Sequence, residues 1–190
     1  ARVLGIDIHP RWLPFAQKYY GDDACEFIRM DAEEMELPGR VFDKAMSLCV
    51  VEHFRRDETV LQNINRVLKP GGRLVFSADS LSNPGITDAE RESHQRRYAV
   101  NTFYDREMIA AKLARAGFAV EKTRYILSTP FALALVRVSW KLDDLPGWLA
   151  PVRLPGYLCL WVLLRLAAPF TNEDAAAGGL TLLVQARKTG

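Results

Sequence analysis

The strongest constraint in this chain is a repeated alternation of short apolar runs with helical or polar stretches. Residues 2–8 (RVLGIDI) are apolar, rich in β-branched side chains and end near an acid, which reads as a buried parallel strand. His9 and Pro10 then open a helix that runs to Tyr20, with Gly21 as its stop. Pro14 sits awkwardly inside it, so the first turn is irregular or the regular helix starts late. Residues 25–30 (CEFIRM) form a second strand, again followed by an acid, Asp31. A polar stretch containing proline (32–40) leads into a third apolar run at 42–51.

Between Asp57 and Lys69, the residues Val60, Leu61, Ile64, Val67 and Leu68 recur at i, i+1, i+4, i+7 and i+8, the spacing of a helix with one buried face. Pro70-Gly71-Gly72 is expected to end that helix, because proline cannot continue it and glycine takes the positive φ of a tight reversal. A fourth strand follows at 73–78 (RLVFSA). A polar loop from Asp79 to about Asn101 comes next, then a helix at 105–116 stopped by Gly117, a fifth strand at 118–126 and a last one at 180–186. Strand, helix and strand in this order imply a mostly parallel sheet with right-handed crossovers, so the fold class is α/β.

Composition narrows the function. With 49% apolar and 25% charged residues in 190, the chain is of ordinary globular make-up and long enough for a single domain with a substantial core. A net charge of +2 carries no basic field, so nucleic acid is not an expected partner. Cys25, Cys49 and Cys159 form no Cys-x-x-Cys pair, which suggests neither a disulfide framework nor a metal site and fits a reducing, cytoplasmic compartment. No signal peptide opens the chain, the apolar run before Asp7 being too short.

Four segments occur in a fixed order: GIDIHP, RMDAEEMELP, FDKAMSLCVVEHF and RVLKPGGRLVFS. Together with TFYDREMIAAKLARAGFAV and GGLTLLVQARK they resemble the class I S-adenosylmethionine-dependent methyltransferases, in the branch acting on small molecules. The resemblance covers roughly residues 2–126 and 178–188. It implies a Rossmann-like sheet, mostly parallel with an antiparallel last strand, and S-adenosyl-L-methionine as cofactor. It implies that Asp7 accepts from the ribose hydroxyls, as an acid at a strand's carboxyl end can, and that Ile8 packs on the adenine. Asp31, 24 residues after Asp7, is implied to accept from the adenine amino group, with the Ala32 backbone beside it. Cys49 ends the strand implied to pass beneath the methionine. Each has a plainer reading: acids after strands cap turns and helices, and a cysteine is often just a small buried hydrophobe.

The family begins its domain with a strand and a glycine-rich loop, where a Cβ would hold the backbone off the ligand. This sequence has no Gly-x-Gly, and Asp7 leaves no room before it for such a loop, so an N-terminal truncation is expected. In the family that first strand lies between the strands of Asp7 and Cys49. These two are then expected either to pair directly or to leave edges unpaired, and the fragment alone to be inactive and to bind the cofactor weakly or not at all.

On the acceptor side, His53, after Glu52 beyond the third strand, is the candidate general base, its plainer reading being a hydrogen-bonded histidine at a strand end. His94, Arg96, Arg97 and Tyr98 fall in the loop after the fourth strand, within reach of substrate. An apolar insert at about 128–170 separates the last two strands, and 154–170 carries one charge, Arg165. At 17 residues, bracketed by Pro155 and Pro169, this stretch is short for a membrane span. It reads first as a lid over an apolar pocket, second as a helix in the membrane interface with peripheral contact through 148–170, and third as core filling or a dimer contact. A small, apolar or lipid-like methyl acceptor follows from the first two. The competing functions are a non-catalytic Rossmann-like module without a cofactor loop and a nicotinamide-dependent dehydrogenase, which the final strand and Asp31 disfavour. Oligomeric state is left open.

Overall fold

The computed structural model describes residues 1–171 and 178–190, with side chains of the last helix described as far as Leu166. The end of the apolar insert beyond Leu166 lies outside the described side chains. Among the described residues, six strands and six helices follow in the order β1 (Val3–Asp7), α1 (Trp12–Tyr20), β2 (Cys25–Arg29), β3 (Phe42–Leu48), α2 (Asp57–Val67), β4 (Leu68–Asp79), α3 (Asp88–Tyr98), α4 (Arg106–Arg115), β5 (Phe118–Ile126), α5 (Pro130–Asp143), α6 (Ala150–Thr171) and β6 (Thr181–Lys188). Short 3-10 turns sit at Ala32–Glu34, Val51–His53 and Gly147–Leu149.

The strands form two groups. β1 pairs in parallel with β2 alone, while the other four run in the order β3-β4-β6-β5. β3 is parallel to β4, and β6 lies antiparallel to both β4 and β5, as expected for the last strand. Of the two outcomes foreseen for the strands of Asp7 and Cys49, the second holds: they do not pair. β1 and β3 each keep one edge unpaired among the described residues, and a cleft of about 340 Å³ touches Val3 and Leu4 of β1 and Phe42 of β3.

The core follows from strand alternation. Leu74, Phe76 and Ala78 of β4 stand directly opposite Ala186, Val184 and Leu182 of β6, and all six are buried. Helices α2 and α4 cover this face with Val60, Leu61, Ile64, Val67, Ile109 and Leu113. Ile6, Met30 and Ala32 join the same cluster, which ties the β1-β2 pair to the larger sheet. The opposite face is barer: Met46 of β3 is 74% exposed and Leu48 57%.

Two expectations are corrected. The helix ends at Val67, and Pro70-Gly71-Gly72 does not stop it but lies inside β4. There the pairing advances from Phe42↔Leu68 to Lys44↔Arg73, an irregularity that Gly71 accommodates at φ +73°. The polar stretch after Asp79 is not all loop, because α3 occupies Asp88–Tyr98. This helix buries no residue, so apolar periodicity could not reveal it. It starts on a reciprocal cap in which Thr87 accepts from Glu90 N while the Glu90 carboxylate accepts from Thr87 N.

The insert becomes the α5–α6 pair. Thr129 caps α5 at Ala132 N, Pro130 takes the first turn, and Leu160 of α6 is buried. Arg137 of α5 forks onto the Glu90 carboxylate at 2.6 and 2.9 Å, anchoring the insert to α3 and holding that carboxyl down at about 2.

Candidate active site

Parallel pairing puts the carboxyl ends of β1 and β2 side by side, and with them Asp7 and Asp31. Met30 N donates to Asp7 O at 3.1 Å, joining the two tips. Asp7 is exposed, and its Oδ1 accepts from His9 N at 2.7 Å; Ile8 beside it is 57% exposed. Asp31 is half-buried and caps the turn at Ala32–Glu34 by accepting from Glu33 N at 2.8 Å. Ala32 O is held by Asn63 Nδ2 at 3.0 Å. Glu33 braces this turn against α2: hydrogen bonds from Arg56, backbone and side chain, hold its carboxyl below the usual range. The capping roles foreseen as plainer readings of the two acids are thus both present, each using one carboxylate oxygen.

A second group gathers at the ends of β3 and β4. Cys49 turns the chain with φ +50°, a left-handed conformation rare for a residue with a Cβ. Its N–H donates to Ser77 O and Ser77 Oγ, both at 3.0 Å, and its Sγ rests 3.4 Å from the same hydroxyl. Partial burial of the thiol, on a residue that is otherwise exposed, pushes its pKa up, and the charges of Glu52 and Asp79 add to this.

Glu52 is completely buried. Its Oε1 accepts from Asp79 N at 3.2 Å, and its main-chain oxygen accepts from Asn101 N and Thr102 N at 2.8 and 3.1 Å. Its Oε2 has no hydrogen-bond partner among the described residues, and burial raises its pKa, with the Asp79 charge adding to the effect. His53, next in sequence, is exposed and sets Nδ1 3.3 Å from Ala99 O, the hydrogen-bonded strand-end position foreseen as its plainer reading.

Asp79, at the tip of β4, bonds through Oδ2 to His94 Nε2 at 2.7 Å. The imidazole is packed by Tyr98, Phe103 and Trp140, with ring centres 4.5, 6.1 and 5.6 Å away. His94 therefore stands on α3 beneath the insert. Glu52 and Asp79 carry no functional role in the sequence reading. Asp79 had a visible signal, since it follows a strand just as Asp7 and Asp31 do; Glu52 had none, because only the folded chain buries it.

The cleft between the strand groups is lined by Arg2, Val3, Cys25 and Phe42, at the amino ends of the strands and so at the opposite end from these acids.

Residues 1–76 match the family model described as a methyltransferase domain. The malonyl-[acyl-carrier protein] O-methyltransferase of Enterobacter lignolyticus is 31% identical over 138 residues, which cover 70% of this chain and 51% of that protein. The sterol 24-C-methyltransferase of Debaryomyces hansenii is 30% identical over 114 residues, covering 56% of this chain and 30% of that protein. These similarities support a class I S-adenosylmethionine-dependent methyltransferase. The chain spans about half the length of the first of these relatives and less of the second.

Solved methyltransferases share the fold. Haemonchus contortus phosphoethanolamine N-methyltransferase 2, in complex with S-adenosyl-L-methionine, superimposes with a TM-score of 0.68 at 19% identity, covering 100% of this chain and 44% of that one. The S-adenosylmethionine-dependent methyltransferase from Mesorhizobium loti gives 0.63 at 20%, covering 98% and 80%. In this chain the acids at the β1 and β2 tips stand side by side, each with one carboxylate oxygen engaged in a capping bond. No Gly-x-Gly is present to approach the methionine end of the family's cofactor.

Proposed function

We propose that this chain carries the adenosine-side and acceptor-side parts of an enzyme that moves a methyl group from S-adenosyl-L-methionine to a small, apolar or lipid-like acceptor. The observation that carries this reading is the placement of Asp7 and Asp31 on adjacent, hydrogen-bonded strand tips. A carboxylate there accepts from two hydroxyls at once, and its neighbour accepts from an amino group. The sulfonium donor brings an already activated methyl group. The chain's own task is to hold acceptor and donor in line and keep water out, an effect worth about 7–11 kcal/mol where alignment is good. Where the acceptor loses a proton, His53 receives it through Nε2, Nδ1 being held by the Ala99 carbonyl.

The acceptor class rests on the insert and on the relatives. Leu154, Leu158, Trp161 and Leu166 of α6 are 76%, 61%, 55% and 69% exposed, although the same helix buries Leu160 on its inner side. Covering each would contribute roughly 1.5–3 kcal/mol. Gly147–Leu166 is long and apolar enough to cross a membrane by length and composition. No acid occurs from Leu145 to Asn172, and Arg153 and Arg165 are the charges there. These features support peripheral contact of α6 with an anionic bilayer on the cytoplasmic side, next to a lid role for α5. Relatives named for sterol, fatty-acid and ubiquinone-pathway methylation support an apolar acceptor.

We also propose that a further strand completes the sheet between β1 and β3 and supplies the glycine loop. The unpaired edges and the bare Met46 and Leu48 support this. Without such a strand the chain is a Rossmann-like module that does not catalyse.

The deciding experiment is calorimetric titration of S-adenosylmethionine into this chain and into a version extended by a glycine-loop strand. Tight binding restored in the extended chain and lost on Asp31→Ala supports the enzyme reading; no binding in either supports the module. Flotation with phosphatidylserine vesicles, abolished by Leu158→Glu with Trp161→Glu, tests the membrane contact.

A further inference from the structure

Cys49 Sγ, a carboxylate oxygen of Glu52 and one of Asp79 all lie within 4.8 Å of one another, where the sequence suggests no metal site. The three come from the turn after β3, the turn at 51–53 and the tip of β4, and the parallel pairing of β3 with β4 brings them together. Acidic groups gather on many proteins without a cation, so proximity alone decides nothing. The deciding observation is Glu52, which is wholly buried with Oε2 lacking a hydrogen-bond partner among the described residues. Buried carboxylate oxygens in folded proteins are almost always satisfied. Its neighbours in the cluster, a carboxylate and a thiol, make that need greater.

The other two donors are set up for ligation. Asp79 Oδ2 is engaged by His94 Nε2 at 2.7 Å, which fixes the carboxylate, the outer support that metal ligands characteristically receive. Cys49 is exposed, so an ion has a path to the buried acid. One thiolate with two carboxylates is too soft a set for magnesium or calcium, which prefer oxygen alone, and suits a borderline ion such as zinc.

We propose that Cys49, Glu52 and Asp79 form a binding site for a divalent, zinc-type transition-metal ion. With zinc–sulfur near 2.3 Å and zinc–oxygen at about 2.0–2.2 Å, the ion needs the donors to close up by no more than about 1 Å. Three protein ligands leave one tetrahedral position for water or a substrate oxygen. His94 holds Asp79 in place and is a positioning residue. The site stands on its own geometry and does not depend on the methyl-transfer reading.

The test is titration of the metal-free chain with Co²⁺, without S-adenosylmethionine, followed by absorption, with Zn²⁺ competition followed by calorimetry. One ion binds per chain, a thiolate-to-cobalt band appears, and Zn²⁺ displaces it. Cys49→Ser abolishes the band, while the double variant Cys25→Ser with Cys159→Ser keeps it. Glu52→Gln weakens binding at least 10-fold, and His94→Gln weakens it about 10- to 100-fold with the band retained. Because Cys49 is exposed, Cys49→Ser keeps the test valid even if Glu52→Gln fails to fold. Absence of binding, or one-to-one binding with its band intact in Cys49→Ser, overturns the proposal. Either result leaves the separate cofactor titration untouched, so the two readings fail independently.

Discussion

His94 Nε2 sits 2.7 Å from Asp79 Oδ2, which ties a helix with no buried residue to the tip of β4, beside the bonds of Arg91 to the Ser80 and Leu81 carbonyls. His94→Ala leaves Asp79 without that donor and removes the ring between Tyr98 and Trp140. The expected cost is about 1–3 kcal/mol in urea unfolding. Arg96→Ala, on the same helix but paired among the described residues only with exposed Glu92, should change stability by less than about 0.5 kcal/mol. Equal effects at the two positions would show that α3 is not held through His94.

Asp57 accepts from both Tyr104 Oη and Lys112 Nζ in the buried region between α2 and α4. Burial by itself would raise the Asp57 pKa, but these hydrogen bonds outweigh it, and the carboxyl titrates below its usual 3.8. A depressed folded pKa gives stability that is present above 3.8 and lost as pH falls through the folded value. Lys112→Met should therefore cost about 3 kcal/mol at neutral pH and move acid unfolding to higher pH. Acid titration of both proteins by circular dichroism checks the direction.

Glu52 has the opposite sign. Its folded pKa is raised by burial, so the folded chain binds the proton more tightly than the unfolded one, and stability falls as pH rises from 4.5 through the folded value. Glu52→Gln keeps an acceptor for Asp79 N and has no charge to bury. With chelator present, thermal unfolding should show the variant gaining on the wild type as pH climbs above 4.5. A constant difference across that range would mean that Glu52 does not titrate there.

The chain as it stands should bind S-adenosylmethionine weakly or not at all, because no glycine loop reaches the methionine end. Micromolar binding in calorimetry would refute this. In a completed, active enzyme, His53→Ala should lower turnover about 100-fold while leaving cofactor affinity intact. Unchanged turnover would leave His53 as the strand-end histidine bonded to Ala99.

Much of the fold is legible in local pattern. The strand at 118–126 matches β5, and Val60, Leu61, Ile64 and Val67 are the buried face of α2. Both rest on short-range periodicity, which the sequence carries directly. The polar helix α3 does not, since its face meets side chains rather than core; only Thr87 and Glu90, three apart, marked its start. Pro70-Gly71-Gly72 misled for a related reason: the same residues that break a helix also serve a strand irregularity, and the pairing partner Phe42–Lys44 settles which.

The sequence by itself determined the α/β class, the order of the elements and the acids that end β1 and β2, because periodicity and strand-end chemistry act over a few residues. The tertiary structure alone decided that β1 and β3 stay apart, that α3 and α5 close over Asp79, and that Glu52 is buried beside Cys49. Those outcomes depend on which backbone edges find partners and which side chains lose water, quantities fixed by contacts between residues far apart in the chain.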